Sequence, residues 1–217
     1  AIEAFGDVHV LCNNAGVGGG SPMVEADLDQ WAWVLGVNLF GVVHGVRAFL
    51  PGMLKHGEEG HIVNTASMAG VMITTPGNAP YAASKAAIVA LSEILHLELV
   101  AAGGRIGVSV VLPGSTDTRI AAAARNRPGA PESADEVPTL SQLIPDEDAG
   151  PGGILSPSAL AEIVHDAIRD RTFYVLTHPM WTDGIRERTT AMLEGTDPKT
   201  ASVHPDTSRM SRPSSDS

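Results

Sequence analysis

Cysteine is almost absent: Cys12 stands alone in 217 residues. That excludes an internal disulfide framework and fits a reducing compartment. Basic residues are also few, with 14 Lys and Arg against 25 Asp and Glu, for a formal net charge of −11. A nucleic acid or an anionic membrane surface would be repelled, so neither is expected as a partner. The apolar stretches are broken by Asn, Gly, His or Lys within a few turns, and no run is expected to span a membrane. No charged-then-apolar leader precedes a small-residue cleavage site. There are 8 histidines but no HExxH and no Cys/His cluster, so no metal site is expected. His56 and His61 flank a Gly/Glu turn and read as solvated. Asp146-Glu147-Asp148 before Gly150 lacks the ligand spacing of a calcium loop and reads as a solvated acidic patch. These features together describe a soluble, cytoplasmic protein.

What is present is globular: 43% hydrophobic and 18% charged residues, enough for one domain with a real core. Apolar runs alternate with helical patterns. Val8 to Cys12, His61 to Thr65, Ile106 to Leu112 and Phe173 to Thr177 read as strands, with Cys12 a buried strand residue. Asp27 to Leu54 reads as a long helix, with Asp27 and Gln30 placed as a reciprocal cap. Pro80 to Ala102 is a second helix, with Ile88, Leu91, Leu95 and Leu99 at helical spacing and Gly103-Gly104 as its stop. Ser156-Pro157 opens a third, running to about Arg169, and Trp181 to Leu193 has helical apolar spacing. Strands that are apolar throughout, alternating with helices, predict an α/β domain with a mainly parallel sheet covered on both faces. Residues 1–195 are assigned to this domain. Within it, 125–157 has no sustained period and reads as a lid or substrate loop. The polar tail 196–217 is expected to be disordered.

Tyr81 and Lys85 lie at i and i+4 near a helix start and share one face. A nearby cation favours the phenolate, so the pair can act as an acid and base; a surface pair is the plainer alternative. Ser67 follows a strand at the carboxyl end of the sheet, where ligands bind in open α/β folds. Asn38 interrupts an apolar helix. Read singly, Ser67 is a turn-capping hydroxyl, and Asn38 satisfies backbone groups at a kink.

Five elements occur in order: Asn13-Asn14-Ala15-Gly16, Asn38 within VNLFG, Ser67 within NTASMAG, Tyr81 to Lys85 as YAASK, and PGSTDT at 113–118. The set resembles the short-chain dehydrogenase/reductase family over about residues 1–120, and more loosely to about Pro198. The resemblance implies a Rossmann-like doubly wound parallel sheet and an NAD- or NADP-dependent oxidoreductase acting on a small alcohol or carbonyl substrate. It implies Tyr81 as general acid/base, Lys85 lowering the tyrosine pKa and holding the nicotinamide ribose, and Ser67 on the substrate oxygen. Asn38 would hold a water in a proton relay. Asn13, Asn14, Ala15 and Gly16 would lie near the adenosine half of the cofactor, and Pro113, Gly114 and Thr118 near the nicotinamide. The family's helices bearing Asn38 and Tyr81 pack on symmetry mates, which implies a homodimer or homotetramer.

The family's Gly-rich phosphate turn should precede Asn13 by several elements, and only Ala1 to Asp7 lie before the first strand. The fold is therefore expected to lack its first strands and that turn, leaving VHVLC as a sheet edge. Gly16 to Gly20 reads as a flexible loop bordering the site, because the acidic first turn at Asp27 and Asp29 disfavours phosphate. A truncated, non-catalytic, partner-binding relative is the alternative; an epimerase or dehydratase using the same Tyr/Lys pair is a third reading. The substrate pocket is expected from Val17 to Met23, Val71 to Ala79 and the segment after Thr118, with Met23, Val71, Met72 and Ile73 making it apolar.

Overall fold

The computed structural model describes residues 2–19, 21–72, 76–130 and 138–201. Gly20, Ile73, the stretch 131–137 and the tail 202–217 lie outside the described residues. Four strands form one parallel sheet in the order β1 (Val10–Asn13), β2 (Gly60–Thr65), β3 (Ile106–Leu112) and β4 (Tyr174–Leu176). Helix α1 (Leu28–His56) joins β1 to β2, α2 (Ala79–Ala101) joins β2 to β3, and α3 (Pro157–Arg169) leads into β4. Helix α4 (Thr182–Glu194) follows.

Ser156 caps its helix as the sequence suggests, and of the reciprocal cap expected at Asp27 and Gln30 the Asp27 half forms. The Asp27 carboxylate accepts from Gln30 N at 2.6 Å, and Ser156 Oγ accepts from Ala159 N at 3.2 Å. Gly103 and Gly104, both at positive φ, end α2.

Helices α1 and α2 cover one sheet face. Met53, Leu95 and Leu99 pack there on Ile62, Ile106 and Val108, and Ile88 packs on Val110 and Leu112. Leu160, Ile163, Val164 and Ala167 of α3 cover the other face at Val63, Val111 and Val175. The sheet is thus doubly wound. All three strand steps run the same way while α3 lies opposite α1 and α2, so the last crossover has the reverse hand of the first two.

Strand β1 departs from the expected pattern. Leu11 faces the α1 side, but Val10 and Cys12 are exposed, because α3 packs over Val63, β3 and β4 and does not reach them. The expected burial of Cys12 is therefore wrong.

Helix α1 is long and apolar enough, by length and composition, to cross a membrane, contrary to the sequence expectation. Here Val34, Val42 and Met53 pack into the protein, and a π-helical turn (Gly36–Phe40) interrupts the run.

Of the two histidines expected to be solvated, His61 is not, and His56 is half-buried and hydrogen-bonded. His61 is buried and bonded to Ser109 Oγ at 2.8 Å, and burial takes its pKa down to about 4. His56 bonds Val8 O through Nε2 and accepts from Glu58 N at Nδ1, while His9 bonds Glu58. Three potential ligand atoms of His9, His56 and Glu58 lie within 4.8 Å of one another, but both His56 nitrogens are committed to backbone.

The described part of the expected flexible loop, residues 16–19, is packed: Val17 is buried with Val34 and Ala123, and a Cβ on Gly18 would come within 2.8 Å of Ile120 O. The 125–157 segment holds short turns at Leu140–Leu143 and Asp146–Ala149, tied by Leu140 N to Thr118 O at 3.1 Å and Ser115 Oγ to Ala149 O at 3.0 Å. Past Thr196, the chain still belongs to the fold as far as Ala201, which is buried beside Met72 and Trp181.

A polar chain runs through the apolar interior. Asn13 Nδ2 donates to Asn64 Oδ1 at 2.9 Å, and Asn64 Nδ2 donates to Ser92 Oγ at 3.0 Å. Removing Asn64 takes away the partner of the Asn13 amide, while Ser92 keeps its bond to Ile88 O. Asn64→Ala is expected to destabilise the protein by about 1–3 kcal/mol, the cost of one polar group left without its partner. A urea titration reads this as a lower midpoint at unchanged slope.

Candidate active site

The carboxyl ends of β1, β2 and β3 bring the motifs of the sequence to one edge. Helix α2 starts at Ala79 with Pro80 in its first turn, which sets Tyr81 and Lys85 one turn apart over the end of β2. Lys85 is only 3% exposed. Its Nζ lies 5.6 Å from the Tyr81 ring centroid and donates to Thr65 O at 2.8 Å. It has no second protein acceptor among the described residues, so two of its three N–H groups are unspent.

Ser67 is extended and caps the 3-10 turn Met68–Gly70, accepting from Ala69 N at 3.2 Å. The turn is pinned to the residue after β3, because Met68 N donates to Pro113 O at 3.0 Å and Ser67 Oγ reaches the same carbonyl at 3.5 Å. Gly70 permits the approach to α2: a Cβ there would sit 2.8 Å from the Lys85 backbone carbon and oxygen. The Ser67 hydroxyl lies close enough to the Tyr81 phenol to pull its pKa down.

Asn38 is fully buried in the π turn of α1. Its Oδ1 accepts from Val17 N at 2.8 Å, and its Nδ2 donates to Val17 O at 3.1 Å and to Ser84 Oγ at 3.0 Å. The plain local readings of Ser67 and Asn38, a turn cap and a satisfier of backbone groups, both hold alongside their place in the site.

Asn14, Ala15 and Gly16 form an exposed ledge past β1, where Asn14 Oδ1 accepts from Thr65 Oγ1 at 3.0 Å. A Cβ on Gly16 would lie 3.5 Å from both Asn38 Oδ1 and Lys85 Nζ. Pro113 and Gly114 border Ser67 and the end of β4, with Gly114 N donating to Thr177 Oγ1 at 3.2 Å. Two residues stand apart. The Asn13 side chain turns into the interior toward Asn64, against a helix position where only Gly45 leaves room. Thr118 is joined by its backbone to Thr116 and Leu140, on the side of the 125–157 segment. The expected pocket wall also changes: Val17 and Met72 are core residues, and Ile73 lies outside the described residues.

Burial raises the Tyr81 pKa above its ordinary value, with the Ser67 contact pulling it down. Burial also takes Lys85 down, to about 8. At 5.6 Å from the ring centroid, the cation is outweighed by desolvation.

Residues that sequence reasoning passed over support the site. Ser84 accepts from Asn38 and donates to Tyr81 O at 2.7 Å, tying α1 to α2. Arg188 of α4 donates to Gly70 O at 3.0 Å. Ser84 lies inside the quoted YAASK motif, where a hydroxyl on a buried helix face was the available signal. Arg188 carried none, because its partner is 118 positions away.

The family model for short chain dehydrogenase matches residues 1–129. The chain belongs to the short chain dehydrogenase family. A short chain dehydrogenase/reductase from Burkholderia phymatum, solved in complex with NAD, superposes with a TM-score of 0.80 at 44% identity, covering 92% of this chain and 71% of that one. A 1-deoxy-11-beta-hydroxypentalenate dehydrogenase of Streptomyces avermitilis is 42% identical over 82% of this chain and 58% of its own length. The C alpha-dehydrogenase of a Sphingobium species is 33% identical over 91% of this chain and 64% of its own. The chain therefore spans about three fifths of the length of these short chain dehydrogenase relatives.

Lys85 should leave a pH signature in stability. Unfolded, it keeps its ordinary value of 10.5; folded, it titrates near 8. Below pH 8 both states are protonated and the fold carries the whole penalty of a buried charge. Between pH 8 and 10 the folded state sheds the proton first, so stability rises, by about 2 kcal/mol up to pH 9.5. Above pH 10 the raised Tyr81 pKa acts in reverse, because the unfolded chain ionises first. Urea midpoints of the natural full chain should rise from pH 7.5 to 9.5, and Lys85→Met should abolish that rise.

Proposed function

We propose that this chain carries the catalytic groups of an NAD(P)-dependent oxidoreductase that interconverts an alcohol and a carbonyl compound. The observation that carries the reading is the convergence of Tyr81, Ser67 and Lys85 at the ends of β2 and β3, around a buried amine with two unspent donors. What supports a dinucleotide here is the exposed Asn14–Gly16 ledge running past that amine, and the NAD bound by the Burkholderia relative.

When bound, the nicotinamide delivers or accepts the hydride. Tyr81 Oη gives its proton to the carbonyl oxygen in reduction and takes the hydroxyl proton in oxidation. Ser67 Oγ, already in contact with the phenol, holds the same substrate oxygen and stabilises charge developing on it. Lys85 as an ammonium favours the phenolate and offers its free N–H groups to the cofactor ribose. Asn38 has both Nδ2 hydrogens committed to Val17 and Ser84, so a relay water would use its Oδ1. The space beside Gly16, flanked by Asn38 Oδ1 and Lys85 Nζ, suits such a water. Pro113 and Gly114 would line the nicotinamide side.

Met23, Val24 and Leu28 are exposed at this end of the sheet and favour a substrate with an apolar part. Phe40 on α1 and Ile94, Leu97 and Val100 on α2 are exposed on the outer helix faces, which supports pairing with a second copy as a homodimer or homotetramer. The acidic balance and single cysteine favour a cytoplasmic setting. The non-catalytic alternative draws no support from a site whose side chains converge.

Tyr81→Phe in the natural full chain is expected to lower kcat/KM by about 10²–10⁴-fold, the usual weight of a general acid/base, with the fold retained. Turnover of an alcohol panel with NAD and NADP, read at 340 nm alongside a urea titration, checks it. Unchanged turnover would remove Tyr81 from the mechanism.

A further inference from the structure

Beyond the last strand, Thr177 and His178 lie buried where two distant loops cross. One is the loop after β3, whose Gly114 N–H donates to Thr177 Oγ1 at 3.2 Å. The other is the returning end of the 125–157 segment, whose Gly153 carbonyl lies 3.2 Å from His178 Nε2. A carbonyl can only accept, so Nε2 carries the hydrogen. Burial lowers the His178 pKa and keeps the ring neutral, leaving Nδ1 as an acceptor. The Thr177 hydroxyl, 2.9 Å away, donates to it. The hydrogen bonds therefore run in one direction, from Gly114 N–H to Thr177 to His178 Nδ1, and from the far side of the ring to Gly153.

The packing is equally specific. A Cβ on Gly114 would come within 2.6 Å of His178 Nδ1, and one on Gly152 within 3.2 Å of Cδ2, so the ring is clasped between two backbones. The Trp181 ring packs tilted at 46° against it, with centroids 5.1 Å apart, and its Nε1 donates to Pro151 O at 2.7 Å. The same Gly114 loop carries the Pro113 carbonyl against which Ser67 and Met68 are pinned.

We propose that Thr177, His178 and Trp181 are positioning residues: a staple that fixes the 150–153 stretch to the Gly114 loop and so holds the nicotinamide side of the site in register with Ser67. The role in binding rests on the oxidoreductase reading above; the staple itself does not. None of the three residues is placed against reacting atoms, so its loss should weaken cofactor binding more than it slows chemistry.

Thr177→Val keeps the shape and removes the relay hydroxyl, while Thr177→Ser restores it. In the natural full chain, amide exchange at Gly114 and over 150–153 should quicken in Thr177→Val and return to normal in Thr177→Ser. The dissociation constant for NAD or NADP should rise about tenfold in Thr177→Val, the equivalent of one lost hydrogen bond, with kcat within about threefold of the parent. Nitrogen-15 shifts of His178 should report the Nε2–H tautomer. Unaltered exchange in Thr177→Val, or an Nδ1–H tautomer, overturns the staple. Unaltered cofactor affinity in a parent that binds cofactor overturns its positioning role. A parent that binds neither cofactor overturns the oxidoreductase reading instead, and the exchange data then judge the staple alone.

Discussion

Asn38 is the point on which the site hangs. A primary amide with no exposure to water must find partners inside the protein, and this one finds them on two other segments. It pairs with both backbone groups of Val17, in the loop after β1, and with Ser84 on α2. The π turn supplies the geometry, since one extra residue per turn shifts the side chain around the helix without ending it. Because Ser84 also bonds the Tyr81 carbonyl, the position of the tyrosine is referred back to the loop after β1 through three successive hydrogen-bonded links, Tyr81–Ser84, Ser84–Asn38 and Asn38–Val17. Lys85, Gly16 and the end of β2 then fall around it.

A second layer of polar contacts holds the strands beneath that site. Asn13, Asn64 and Ser92 link β1, β2 and α2 on one face. On the other, His61 meets Ser109, whose hydroxyl donates to Thr172 O at 2.6 Å. In parallel strands a slip of one residue would reverse every side chain, and an unpartnered buried amide or imidazole makes that slip costly. Gly107 and Gly45 leave the space these side chains occupy. The apolar clusters supply bulk stability, and the polar pairs set which residues face which.

The carboxyl-terminal third closes the structure onto the edge that bears Ser67 and Tyr81. Arg188 holds the Gly70 carbonyl, Gly184 packs on Met72 and Ala201, and the Thr177–Trp181 stretch holds two loops. The turn bearing Ser67 is therefore fixed from α2 on one side and from α4 on the other. The hydrogen-bonded anchors are long-range contacts to backbone, which leave no periodic trace in the chain.

The sequence by itself determined the element order, the parallel α/β class and the grouping of Asn38, Ser67, Tyr81 and Lys85. Hydrophobic period, caps and turn residues are local, and a family motif records its chemistry in short words. Tertiary structure decided what depends on distant neighbours. Cys12 is exposed because α3 covers β3 and β4 rather than β1; His61 is buried because Ser109 and Gly107 receive it; the 16–19 stretch is packed because Ile120 and Val34 lie against it. The ionisation of the Tyr81/Lys85 pair was decided there too. Spacing along a helix fixes that the two groups share a face, but desolvation sets their pKa values, and desolvation depends on every segment folded around them.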